Sequence, residues 1–199
     1  MVAGTFGYES DIQTFAEASF GLKFENINQD FLPFLPVKGS KALDAGCGVG
    51  QNAAALSRLG YEVVAVEPLT AFLDKAKIRY KGSSVEWLED SLPDLKLLDD
   101  SKYTFDFILL DGVWHHLSFQ ERKRCVGRLY ELLLPNGVCA ISLRNGPAGL
   151  GKHVFPASCD ELLGLASEYG LKVVFQTQNQ PSKMPNKQDV TWSRIALRK

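Results

Sequence analysis

The 199-residue chain predicts an α/β fold, with a mostly parallel sheet, helices on both faces and an antiparallel final strand. Three observations carry this prediction. Short apolar runs, several of them β-branched, recur from residue 41 onward, which is the pattern of strands buried on both faces. Helix-length segments with glycine stops lie between them, as βαβ units require. The last two runs are joined by a polar loop with no room for a crossover helix, so they are antiparallel neighbours.

Taken in order, residues 10–20 and 25–35 carry apolar side chains at helical spacing (Ile12, Phe15, Ala16; Ile27, Phe31) before Pro33, Pro36 and Gly39 break the chain. They are expected to form a helical cap over residues 1–40, ahead of the core at 41–199 in a single domain. Lys41–Ala45 reads as the first strand, and the helix Gln51–Leu59 stops at Gly60. Glu62–Val66 is the second strand, and the helix Thr70–Lys81 stops at Gly82; both glycines suit the positive φ of a helix end. Val85–Leu88 and Phe105–Leu110 follow as strands. Ser118 and Glu121 have capping-box spacing and open an amphipathic helix towards Leu134. Its charged run Glu121–Arg124, with Arg128, is expected on the solvated face. Val138–Leu143 is a strand, Ser158 and Glu161 open a helix closed by Gly170, and Leu171–Thr177 and Val190–Leu197 flank the polar loop Gln178–Asp189.

Composition excludes more than it identifies. With 22 Lys+Arg against 23 Asp+Glu the formal net charge is −1, which disfavours a protein that grips nucleic acid or an anionic membrane face. No apolar stretch free of Gly and Pro exceeds four residues, so no bilayer span is expected. The opening MVAGTFGYESD lacks the basic flank and apolar run of a secretory signal, which points to the cytoplasm. Cys47, Cys125, Cys139 and Cys159 show no metal-ligand spacing and are expected as reduced, buried thiols.

The chemistry concentrates in Ala42–Gly50, ALDAGCGVG, at the join of the first strand and first helix. Gly46, Gly48 and Gly50 let the backbone turn sharply and approach a ligand closely. Asp44 precedes the first glycine, and Glu67 ends the second strand in EVVAVEP, where it can accept from ribose hydroxyls. The dinucleotide fingerprint GxGxxG would need glycine at position 51, and the residue there is Gln51. A carboxylate at Asp44 suits a cationic amine better than a pyrophosphate.

In these motifs the chain resembles the class I S-adenosylmethionine (SAM) methyltransferases, particularly the small type 11/12 group. Over residues 38–146 the resemblance extends to Leu88–Pro93, to the FILLDGVWHHL segment and to LLLPNGVCAISL. It implies a Rossmann-like, seven-stranded sheet with six parallel strands, SAM as cofactor and S-adenosylhomocysteine as product. By position, it also implies cofactor contacts from Tyr8, Asp44, Gly46, Cys47, Gly48, Gly50, Glu67, Pro68, Asp90, Ser91, Asp111 and Gly112. His116 and His115 follow the fourth strand, where the family presents groups to its acceptor, and a histidine there is a candidate general base. Trp114 and Arg144 are candidates for the acceptor wall, Arg144 with Lys152 and His153 nearby; no metal site is implied. The acid-or-Asn-Pro-Pro-aromatic signature of base-amino methylation and a Pro-Cys nucleophile are both missing, so a small-molecule acceptor is favoured over nucleic acid, with no membrane partner. Two alternatives stay open: a non-catalytic SAM-binding scaffold or partner subunit, and a nicotinamide-dependent oxidoreductase.

Overall fold

The computed structural model describes residues 2–183 and 187–199. Strands β1 (Lys41–Ala45), β2 (Glu62–Val66), β3 (Val85–Leu88), β4 (Phe105–Leu110), β5 (Leu133–Asn145), β6 (Lys172–Pro181) and β7 (Thr191–Arg198) form one sheet in the order β3-β2-β1-β4-β5-β7-β6. All pairings among β1 to β5 are parallel, and β7 runs antiparallel between β5 and β6. One edge strand is therefore β6, with β7 inside the sheet, and the other is β3. The middle of the polar connection between them, residues 184–186, lies outside the described residues. Chain order runs outward from β1 to β3 in one direction and from β4 to β5 in the other. The loops leaving these two neighbours part, which opens the crevice where α/β sheets of this kind bind ligands.

Helices α1 (Ile12–Phe20), α2 (Phe24–Ile27), α3 (Gln51–Leu59), α4 (Thr70–Arg79), α5 (Phe119–Leu132) and α6 (Cys159–Glu168) surround the sheet. Alternation along the strands sorts side chains onto two faces. Leu43, Val64, Val66, Ile108 and Leu110 join the core under α5 and α6. Ala42, Val63, Ala65, Phe107 and Leu109 join the core under α2, α3 and α4, with Phe24, Leu56 and Leu73. A smaller cluster of Ala16, Val49 and Phe72 seats α1 on α4 and the glycine loop.

Several boundaries differ from expectation. Residues 25–35 are not one helix: α2 is a single turn followed by a 3-10 stretch, Gln29–Phe34. Asn28 leaves the helical region (φ −105°, ψ 23°), and Pro33 offers no N–H to continue a helix. Helix α4 ends at Arg79 with Tyr80 as its cap, and Gly82 lies in the turn beyond. β5 starts at Leu133, directly after α5. All four cysteines are free and buried. No helix among the described residues is long and apolar enough to cross a membrane.

The largest correction concerns Arg122, which is 1% exposed rather than solvated. It falls in phase with Cys125, Val126, Leu129 and Leu132, the buried stripe of α5. Its guanidinium donates to the carbonyls of Trp114, Phe155 and Pro156 and to both oxygens of Glu161 at 3.0 Å. Ser118 and Glu121 complete the capping box on α5, whereas Glu161, the matching acid on α6, serves Arg122 instead. One buried cation thus ties the loop after β4 to the chain entering α6. Arg122→Ala would strip the Phe155 and Pro156 carbonyls and the Glu161 carboxylate of this donor and leave Trp114 O only the Leu117 N–H, and we expect a loss of about 3 kcal/mol in urea unfolding. A loss below about 1 kcal/mol would show that the brace is unimportant.

Candidate functional site

β1 delivers the chain into the glycine loop at the centre of the crevice. At Gly46 φ is +80° and a Cβ would lie 2.8 Å from Val113 Cγ2; at Gly50 φ is +82° and a Cβ would lie 2.5 Å from the Trp87 ring. Glycine is required at both positions. Glu67, from the end of β2, fixes the loop: Gly48 N–H donates to its Oε2 at 3.0 Å, and Leu69 N–H to its Oε1 at 2.9 Å. Each oxygen keeps a second acceptor position, and the side chain lines a cavity above it. Asp44 lies beneath the loop, 1% exposed. It accepts from Ala53 N–H in the first turn of α3, while its Oδ2 has no partner among the described residues. Burial, reinforced by the charge of Asp111, pushes Asp44 up to about 8. Burial pushes Glu67 up to about 7 against the pull of its two N–H donors.

The cavity, about 930 Å³, is lined by Gly46, Cys47 and Gly48 of the loop, by Glu67 and Pro68, by Asp90 and Ser91 after β3, and by Asp111 and Gly112 after β4. Gly50 and Asp44 support it from below. Four carboxylates (Glu67, Asp90, Asp111 and Glu121) reach the wall, and no lysine or arginine among the described residues does. Asp111 is locked in place: Ser142 Oγ donates to its Oδ1 at 2.7 Å, and Asn28 and Asn52 donate to its Oδ2 at 3.2 and 3.1 Å. Asp90 turns back on its own loop, taking the Ser91 and Leu97 N–H groups at 2.8 and 2.7 Å. The Ser91 N–H is thereby occupied. The Cys47 thiol is held well above its ordinary value by burial and by Asp44 and Glu67, so it stays protonated.

The amino-terminal segment roofs this cavity. Tyr8 stands edge-on to Phe15 and Phe72, whose rings stack 4.7 Å apart. Its hydroxyl lies 2.9 Å from His116 Nε2, and His116 Nδ1 lies 2.7 Å from the His153 carbonyl. A carbonyl only accepts, so Nδ1 carries the proton and Nε2 accepts from Tyr8. Burial holds His116 below its ordinary value and raises Tyr8 to about 12. The short 3-10 turn Trp114–His116 rotates successive side chains by a third of a turn each. His115 and His116 therefore reach the two sides of the site, and Trp114 does not. Trp114 is 0% exposed within the core beside Arg122, which corrects its expected place in the acceptor wall.

A second cavity, about 1370 Å³, adjoins the first and shares Tyr8, Phe15, Gln51, Asp111 and Gly112 with it. His115 and Arg144 line it. Burial and the neighbouring positive groups hold His115 down to about 2, so it is neutral. Sequence reading missed Asn28, Asn52, Phe15, Phe72 and Ser142. Asn52 left one trace, a polar residue beside the run Ala53–Leu56 on a buried helix; the two phenylalanines read as ordinary core residues. Among the described residues no group of three metal-ligating side chains occurs.

Residues 43–141 match a family model described as a methyltransferase domain. An uncharacterized methyltransferase of Mycobacterium bovis is 30% identical over 129 residues, covering 61% of this chain and 63% of that protein. The chain thus spans about 63% of the length of the mycobacterial relatives it matches. The fold is shared with the 1,6-didemethyltoxoflavin-N1-methyltransferase of Burkholderia thailandensis, solved with its substrate and S-adenosylhomocysteine (TM-score 0.71, 20% identity, 97% of this chain and 84% of that one). It is shared equally with SpnF, a 4+2 cyclase (TM-score 0.73, 14% identity, 100% and 96%).

The raised Asp44 has a consequence for stability. A carboxyl that ionises near 4 when unfolded and near 8 when folded binds more protons in the folded state between those values, so stability falls as pH rises through that window. We expect Asp44→Asn to stabilise the ligand-free protein at pH 8 by roughly 1–3 kcal/mol and to have little effect near pH 4. Thermal unfolding at the two pH values checks this; equal effects at both would rule it out.

Proposed function

Through residues 43–141 this chain belongs to the methyltransferase domain family, and from that premise we propose that it transfers the methyl group of S-adenosylmethionine to a small-molecule acceptor by in-line displacement. The observation that carries the proposal is the charge of the first cavity. SAM bears an ammonium and a sulfonium and no phosphate, which matches a wall of carboxylates without a lysine or arginine. The pyrophosphate of a nicotinamide cofactor would meet Glu67 and Asp111 with like charge, so the oxidoreductase alternative loses ground. The Burkholderia enzyme, which methylates a small molecule on the same fold, supports the acceptor class.

When bound, the sulfonium supplies an already activated methyl group. The residues of this chain then have to bind, orient and exclude water. Glu67 has two acceptor positions left for the ribose hydroxyls, and Asp111 with Gly112 faces the methionine end. Asp44 acts through its charge from beneath the floor. Asp90 retains acceptor capacity for the adenine amino group, but a ring nitrogen reaches Ser91 N–H only after Asp90 releases it. Tyr8 closes the roof where the two cavities meet, with an aromatic face available to a sulfonium. His116 is a positioning residue for Tyr8, and an acceptor proton would reach its Nε2 by way of the Tyr8 hydroxyl. Neutral His115 offers hydrogen bonds rather than a base.

Calorimetric titration with S-adenosylhomocysteine should give a Kd below about 100 μM, and no heat at about 1 mM would refute the proposal. Affinity should rise from pH 6 to pH 8, by up to about tenfold per pH unit, because binding an ammonium requires Asp44 and Glu67 to ionise. Glu67→Ala should weaken binding at least about tenfold, with the far-UV circular dichroism unchanged. Consumption of SAM with an acceptor panel separates an enzyme from a binding scaffold. The cyclase on the same fold makes that arm necessary.

A further inference from the structure

We propose that the second cavity takes a small acceptor carrying an anionic oxygen group, a carboxylate or a phosphate, on an apolar body, and that Arg144 receives the anionic end. The inference rests on the methyl-transfer reading, because it names the acceptor that sits beside Tyr8 and Gly112.

The two adjoining cavities have opposite charge. The second is lined by Arg144, Lys183, Lys187 and Arg194, and Asp111 on the shared wall is its only carboxylate among the described residues. These cations are not equivalent. Arg194 is committed to the fold: it lies 3.7 Å from Asp30, donates to the Ile27 carbonyl at 3.1 Å and sits over the Trp192 ring. Lys183 donates to the Asn26 carbonyl at 3.1 Å, and Lys187 is exposed. Arg144 is half-buried at the carboxyl end of β5. Its guanidinium donates only to the carbonyls of Gly146 and Pro147, at 3.5 and 2.7 Å, with no carboxylate partner among the described residues. A guanidinium drawn partly out of water without a counter-ion, with its planar fork unmatched, is the arrangement that selects a carboxylate or phosphate.

A second observation points the same way. His115, on the same wall, is 5% exposed, and its Nδ1 has no partner among the described residues. Neutral and buried, it brings no negative group to the wall that would neutralise Arg144. An incoming cation would instead meet the like charge of Arg144. Leu22, Ile27 and Trp192 give the wall a broad apolar stretch, so the acceptor has an apolar body between its anionic end and the atom methylated at the shared wall.

The test uses the protein saturated with S-adenosylhomocysteine and four probes of one size: benzoate, phenyl phosphate, benzamide and benzylamine. Calorimetry should show at least one of the two anions binding about tenfold or more tighter than benzamide, with benzylamine weakest. The stronger anion identifies the group as carboxylate or phosphate. Arg144→Gln should bring the anion to the benzamide level, Arg144→Lys should retain part of the difference, and both should bind S-adenosylhomocysteine within twofold of the original chain. The inference is overturned if neither anion binds at about 10 mM, if benzamide or benzylamine matches the anions, or if Arg144→Gln leaves anion affinity unchanged. The comparison of probes on the original chain stands even where a variant fails to fold. If S-adenosylhomocysteine itself does not bind, the methyl-transfer reading fails by itself. The same ranking of anion over amide, measured on the ligand-free protein, then decides the acceptor class separately.

Discussion

Two carboxylates buried at the ends of adjacent strands set the terms on which this site is built. Asp44 and Glu67 leave β1 and β2 side by side and are both pushed upward by desolvation. Each is answered by backbone N–H groups, Ala53 for Asp44 and Gly48 with Leu69 for Glu67. In the glycine loop the Gly48 N–H points at Glu67 while the Gly46 and Cys47 N–H groups meet the Val66 carbonyl, and Gly46 and Gly50 adopt left-handed backbone to allow it. The compensation is incomplete, since one oxygen of Asp44 has no partner among the described residues. A positive group on the cavity floor would complete it.

The rest of the crevice follows from segregating charge around that floor. Asp111 is clamped by Asn28, Asn52 and Ser142, so the wall between the two cavities carries a fixed negative group. Beyond it the sign reverses with Arg144. Both sides hang from the loop after β4, and that loop is braced from below by Arg122, whose guanidinium donates to the Trp114 carbonyl. A cation sealed within the core thus positions the polar turn that presents His115 to one cavity and His116 to the other.

Features set by local chemistry were legible in the sequence. All seven strands, the stop at Gly60, the capping box at Ser118 and the glycine loop with Glu67 depend on residues within a few positions or on repeating alternation. Where tertiary contacts decide, the reading failed in instructive ways. Arg122 was placed outside because it is charged, although its helical phase with Cys125, Val126 and Leu129 marks it as buried; phase was the better guide. Trp114 was placed in the acceptor wall because of its loop position, and the three-residue twist of a 3-10 turn sent it inward. Asn28 was counted into a helix that its own inward-facing side chain interrupts. The acid clamp and the second cavity join residues from opposite ends of the chain, and no local pattern encodes such a meeting.

The roof is made by residues near the start of the chain that pack against elements far along it. The contact of Tyr8 with His116 spans 108 positions, and Phe6 meets Lys152, on the far side of β5. Contacts of such long range carry a larger loop-closure cost than local ones. The amino-terminal segment covers a crevice built by the rest of the domain. Few bonds hold it there: one hydroxyl-to-imidazole contact, one backbone pair, the Lys75–Gln13 bond from α4, Arg79 over the Phe20 ring and a cluster of rings. Hydrogen exchange in residues 3–20 should accordingly run ahead of exchange in β1 and β4, so the entrance can breathe while the sheet stays shut.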